Sequence, residues 1–172
     1  TISAKNAAAI VLRAGSRAAG LSVISSFYDE LAGKTIKLAR AINTTAVQLS
    51  VITVSEWRTS TALQRVREAY GKSQNADNRR AIIPLEQRIN DQLSNIESRF
   101  SSLLAMLNGD LQEIQKHMRA IDVVAVTSRL EAHRTGEFKE GLLQMANTIQ
   151  QQTSDIKAHI SRSIAMLNDA LQ

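Results

Sequence analysis

The sequence predicts an all-α protein of long helices packed as an antiparallel coiled-coil bundle, and three observations carry that prediction. Hydrophobic residues make up 44% of the chain but aromatic ones only 3%, with 7 Gly and 1 Pro in 172 residues. Such a mixture is poor in the turn formers and rings that strand-rich cores use. Apolar residues recur at heptad spacing along most of the chain, the period of helices that wind around one another. Glycines fall where those runs are interrupted, because a tight helix–helix turn needs a residue that reaches positive φ.

The first long helix is read from Leu21 onward. Leu21, Tyr28, Ile42, Leu49, Leu63 and Tyr70 share one phase, and Ile24, Leu31, Leu38, Ile52 and Val66 share the other. Thr35, Thr45, Glu56 and Thr59 interrupt the same ladder and weaken it locally. The run Gly71 to Asn78 is polar and opens on glycine, which predicts a helix stop and a connector. Pro84 suits the first turn of the next helix. That helix carries Ile82, Ile89, Ile96 and Leu103 on one phase and Leu93, Phe100, Leu107, Ile114 and Ile121 on another. Gly109 lies inside this pattern and marks a soft point or a close approach rather than a break. The final helix is read from Leu142, Met145, Ile149, Ile156, Ile160, Ile164, Leu167 and Leu171.

Two glycine pairs, Gly15 with Gly20 and Gly136 with Gly141, separate helical patterns. About 57 residues lie between the first pair and the connector and about 63 between the connector and the second, so at a constant helical rise the outward and return paths nearly match. The expected architecture is therefore an elongated antiparallel coiled-coil four-helix bundle with both helical-hairpin turns at the same end. It is read as a single domain over 1–172, composed of a first hairpin at 1–70, a connector at 71–83 and a second hairpin at 84–172. Its first helix, Ser3 to Ala14, is short.

The formal charge of +5 and the pI near 9.9 point first to acidic partners. Lys and Arg are interspersed with Glu and Asp, however. The densest cluster, Arg65, Arg67, Lys72, Arg79 and Arg80, brackets the connector with little aromatic interleaving for base stacking. A dispersed, solvated basic surface is the expectation, and nucleic acid is not the favoured partner. Cysteine is absent, which excludes disulfides, thiolate nucleophiles and cysteine metal sites. No run approaches the roughly 18 to 20 apolar residues of a membrane span. The opening residues lack a signal-peptide layout, and the start at Thr1 fits a piece of a longer protein. The expected location is the cytoplasm, with membrane contact only through a segment outside this chain.

No phosphate-binding loop, dinucleotide fingerprint, zinc-protease helix or nucleophile elbow is present. The chain is accordingly read as non-enzymatic, with no cofactor, no metal and no small-molecule substrate. His117 and His159 fall near seam positions and are expected to be partly buried, hydrogen-bonded bundle residues. Met106, Met118, Met145 and Met166 have the spacing of core filler. Glu131, Arg134 and Glu137 lie three residues apart, close to one face of the helix end before the second glycine bend, with Phe138 beside them as a candidate anchor.

The stretch Asn6 to Ile24 resembles the hairpin tip of methyl-accepting chemotaxis proteins, the bacterial chemoreceptors. It aligns without a gap and keeps the family's residue at Asn6, Arg13, Gly15, Gly20 and Val23. Ile10 and Ser16 stand where the family has glutamates, and Leu21 where it has phenylalanine. The likeness continues less strictly through Leu31-Ala32-Gly33-Lys34-Thr35. A second copy, Leu130 to Leu142, keeps Glu131, Arg134, Gly136, Glu137 and Gly141, while Thr127 replaces the family's asparagine and Gln144 its valine. The resemblance implies a signalling module that presents a tip to a histidine kinase, its coupling protein and other receptors. In that family two identical hairpins pair as a homodimer; here one chain would hold both. A structural coiled-coil spacer or oligomerisation rod, and a helical binder of acidic surfaces, are the competing expectations.

Overall fold

The structure, a computed structural model, describes residue 9, residues 19–134, residue 136 and residues 139–170. Three helices account for nearly all of them: α1 Ala19–Lys72, α2 Ala76–Ala132 and α3 Lys139–Ala170. No strand occurs among the described residues. The helix expected at Ser3 to Ala14 lies outside them, as does Leu171. The chain divides into two compact units, one of Thr1–Ile42 with Asn108–Gln172 and the other of Asn43–Leu107.

The Asn43–Leu107 unit is a helical hairpin made by the end of α1 and the start of α2. Its connector is only Ser73 to Asn75, shorter than the expected 71–83. The reason is local hydrogen bonding. The Ser73 amide donates to the Ala69 carbonyl at 3.0 Å and to the Tyr70 carbonyl at 3.3 Å, closing α1 beyond Gly71. Asn75 Oδ1 accepts from the Asp77 amide at 2.9 Å, an N-cap that opens α2 well before Pro84. Pro84 therefore stands inside α2, not in its first turn, and leaves the Arg80 carbonyl without its usual donor. Arg67 Nε pairs with Glu86 Oε1 at 2.8 Å, and the Arg79 guanidinium lies 5.5 Å from the Tyr70 ring centroid while its Nε donates to the Ser73 carbonyl. These contacts hold the two helices antiparallel. The buried seam is narrow: Thr45, Ile52, Leu63, Ile89, Leu104 and Leu107. Tyr70, expected in the seam, is 38% exposed because its ring is turned to Arg79.

In the other unit a third helix widens the core. On α2, Leu111, Ile114, Met118, Ile121, Ala125, Ser128 and Ala132 are all buried at alternating three- and four-residue steps, and Val124 joins them. These positions are two per heptad and continue the register of Leu104 and Leu107, so Val124 is the added buried position on α2. Tyr28, Leu31 and Ala32 of α1 and Leu142, Ala146, Ile149 and Ile160 of α3 are buried in the same unit. Each fully buried Leu, Ile or Met contributes about 1.5–3 kcal/mol through removal from water. Buried Ser128 and Thr153 return their hydroxyls to the carbonyls of Val124 and Ile149, both at 2.8 Å, so neither is left unsatisfied.

Cross-links fix the arrangement of this unit. Thr35 Oγ1 lies 3.5 Å from His117 Nδ1, joining α1 to α2, and Lys157 pairs with Asp122, joining α3 to α2. His117 is 13% exposed at the seam, as expected. His159 is exposed and stands 3.2 Å from the Arg162 guanidinium instead. Ile156 is 37% exposed because Thr153 and Ile160 occupy the inward positions around it. Met118 fills the core at 1% exposure, but Met106 and Met166 are 56% and 73% exposed and fill nothing. Gly109 continues α2 without a break, and a Cβ there would meet nothing within 4 Å, so the close approach expected at this position is absent.

Candidate protein-contact site

The second hairpin turn is built where α2 runs out at Ala132. His133 and Arg134 form the turn, the Arg134 amide donating to the Glu131 carbonyl at 2.9 Å. Gly136 follows with φ of 60°, a left-handed conformation that residues with a Cβ adopt only at a cost. Small side chains let the helices converge here, with Ala125, Ser128, Ala132 and Ala146 all fully buried. The bend expected at the second glycine pair is therefore present, but only one of its glycines makes it. Gly141 lies within α3, next to the wholly buried Leu142 that anchors that helix, so the helix tolerates a glycine at about 1 kcal/mol.

Glu131 and Arg134 come together. Arg134 Nη1 donates to Glu131 Oε1 at 3.0 Å, and their side chains are 77% and 28% exposed for Arg134 and Glu131 respectively. Such an exposed pair contributes little to stability, about 0–1 kcal/mol, but it fixes the direction of the guanidinium. Glu137 and Phe138 lie outside the described residues. Arg129, one turn back, has a buried Nε with no hydrogen-bond partner.

At the first copy of the motif, Asn6, Arg13 and Gly15 also lie outside the described residues. Gly20 belongs to α1, which begins at Ala19, so it is a helix residue and not part of a reversal. A single glycine is too small a penalty to stop a helix. Val23 is on α1 and 73% exposed.

Val23 is one member of an apolar surface that the heptad reading missed. Phe27 is 46% exposed one turn along α1, and Val123, Val126 and Leu130 are 65%, 49% and 65% exposed on α2. From the Thr35–His117 contact, antiparallel helices bring Phe27 level with Ala125, so the two sets share one end of the unit. On each helix these residues lie on the side away from its buried positions, such as Ala32 of α1 and Met118 and Ala125 of α2. The signal was present in the sequence as apolar residues that fit neither phase of the ladder.

No family model, curated protein or solved structure matches this chain. The site must be read from its own chemistry. Among the described residues no group of three or more His, Cys, Asp or Glu side chains could hold a metal, and no helix is long and apolar enough to cross a membrane. What the hairpin offers is a bend at Gly136, a paired guanidinium and carboxylate, and exposed apolar residues on α1 and α2 at the same end. Those are the means of protein contact.

Proposed function

We propose that the chain is a chemoreceptor-like, non-catalytic signalling module that presents a hairpin tip to partner proteins in the cytoplasm. The observation that carries this reading is the bend at Gly136 with the Glu131–Arg134 pair beside it. These residues are the ones through which the second motif resembles the chemotaxis-receptor tip. The partners on this reading are a histidine kinase, its coupling protein and other receptors, with neither cofactor nor small-molecule substrate involved.

The full proposed architecture is a four-helix bundle with both reversals at one end. One feature supports it: the start of α1 and the end of α2 lie at one end of their unit. Signalling in such a bundle is conformational, since small shifts in packing along a seam alter what the tip presents. The buried seam positions of this unit include serine, threonine and alanine, which weakens packing locally and favours exchange between arrangements.

The test is a pull-down of a purified chemotaxis kinase and coupling protein with wild type and with an Arg134→Ala, Glu137→Ala variant. Retention by wild type and loss in the variant is expected. Equal retention by both, or by neither, rejects the tip. The alternative, a structural coiled-coil spacer or oligomerisation module, draws on the unbroken three–four repeat from Leu111 to Ala132; it expects stable dimers or larger species on sedimentation and no kinase retention.

A further inference from the structure

We propose that the Asn43–Leu107 unit carries a separate docking surface for an acidic amphipathic helix of a partner protein. The proposal rests on this unit alone and stands whether or not the tip binds a kinase. An outer face of α1 carries Val47, Val51, Val54, Arg58, Thr61 and Arg65 at alternating four- and three-residue steps. Val47, Val51 and Val54 are 57%, 64% and 50% exposed, and Trp57 beside them is 69% exposed. Beside this stripe a groove of about 320 Å³ is formed by Val47, Val51 and Ile52 of α1 with Arg99 and Leu103 of α2. A second hollow of about 370 Å³ lies further along α1, formed by Trp57, Arg58, Thr61, Ala62 and Arg65.

Charge selects the occupant. Residues 43–55 of α1 and 100–107 of α2 contain no charged side chain at all, so the floor of the surface is apolar and small-polar. Every charged residue that lines the groove or the hollow is an arginine, namely Arg58, Arg65 and Arg99. None of the three makes an ion pair among the described residues. A second copy of the chain would bring arginines against arginines across a two-fold axis, which opposes self-association. A helix with apolar residues at i, i+3 and i+4 spacing, flanked by glutamate or aspartate, satisfies both the valine stripe and the arginine rim. Tryptophan and arginine are also the residues most enriched where binding energy concentrates.

Trp57 is the single tryptophan of the chain, and it lies on the surface in question, so its emission reports on docking directly. The full chain is titrated with a synthetic amphipathic helix bearing leucine at the a and d positions and glutamate at e and g. A control peptide carries lysine at e and g. The expected result is a saturable blue shift with the glutamate peptide, weakened by salt, and no shift with the lysine peptide. Val51→Glu and the pair Arg58→Glu, Arg65→Glu should each weaken binding by about tenfold or more, with unchanged helical circular dichroism because all three side chains are exposed. No shift with the glutamate peptide overturns the proposal, as does equal binding of the two peptides. A shift given only by phosphatidylglycerol vesicles assigns the surface to lipid, and a dimer in sedimentation that Val51→Glu dissociates assigns it to a second copy; either overturns it too.

Discussion

Gly109 and Gly136 offer a paired experiment in which one substitution has opposite signs. Both belong to the unit containing Asn108–Gln172, and a Cβ added at either would meet nothing within 4 Å, so neither replacement by alanine creates a clash. The backbone alone decides the outcome. Gly109 has helical geometry inside α2, where alanine is favoured by about 0.5–1 kcal/mol. Gly136 has φ of 60°, where a Cβ costs about 1–2 kcal/mol. Part of that cost is offset by about 0.4–1 kcal/mol, because alanine reduces the freedom of the unfolded chain. Gly109→Ala should therefore stabilise by about 0.5–1 kcal/mol, and Gly136→Ala should destabilise by about 1 kcal/mol. Gly136→Asn should fall between wild type and Gly136→Ala, since asparagine tolerates the left-handed region. Urea unfolding followed by ellipticity at the helix band gives each change from the midpoint at constant slope. If both alanine variants shift the same way, the left-handed turn is not what holds the hairpin.

Met118→Ala, at the largest fully buried side chain among the described residues, should cost about 2–5 kcal/mol in the same assay. Pro84→Ala should restore the amide that the Arg80 carbonyl lacks and stabilise the Asn43–Leu107 unit by up to about 3 kcal/mol; thermal unfolding checks it. Arg129→Met keeps the aliphatic stem and removes the unpartnered Nε, and should raise stability by about 1 kcal/mol in urea titration. Glu30 and Glu113 are held below the ordinary glutamate value of 4.5, chiefly by hydrogen bonds from Lys34 and Lys116. A lowered folded value means that their contribution is present above pH 4.5 and is lost as pH falls through the folded value. Stability followed against pH should decline on that acid limb, and Lys34→Ala with Lys116→Ala should flatten part of it.

Much of the fold is legible in the chain. The heptad phases identify the helices, and Tyr28, Leu31, Ile52, Leu63, Ile89, Leu107, Ile114 and Ile121 are buried where the phases put them. The connector is legible in place but not in length, because a polar run beginning at Gly71 does not reveal that Asn75 alone supplies the cap. Of the tip residues, Gly136 is recognisable as a turn former from its type and position, whereas Gly20 and Gly141 carry the same signature and are helical. A glycine permits a bend without compelling one; neighbours such as Leu142 decide whether the helix continues.

The sequence by itself determined that the described chain is helical, where its longest helices run, and which two positions per turn pair face a seam. Those are properties of one helix, set by a period of seven residues, and they need no knowledge of distant parts of the chain. Only the tertiary structure decided that α2 buries Leu104, Leu111, Met118, Ala125 and Ala132 in preference to the phase of Ile96 and Leu103, or that Val47, Val51 and Trp57 are left in solvent. Burial beyond the seam depends on which helix covers a given flank. That choice is made by contacts such as Lys157 with Asp122, between residues whose proximity no local pattern records.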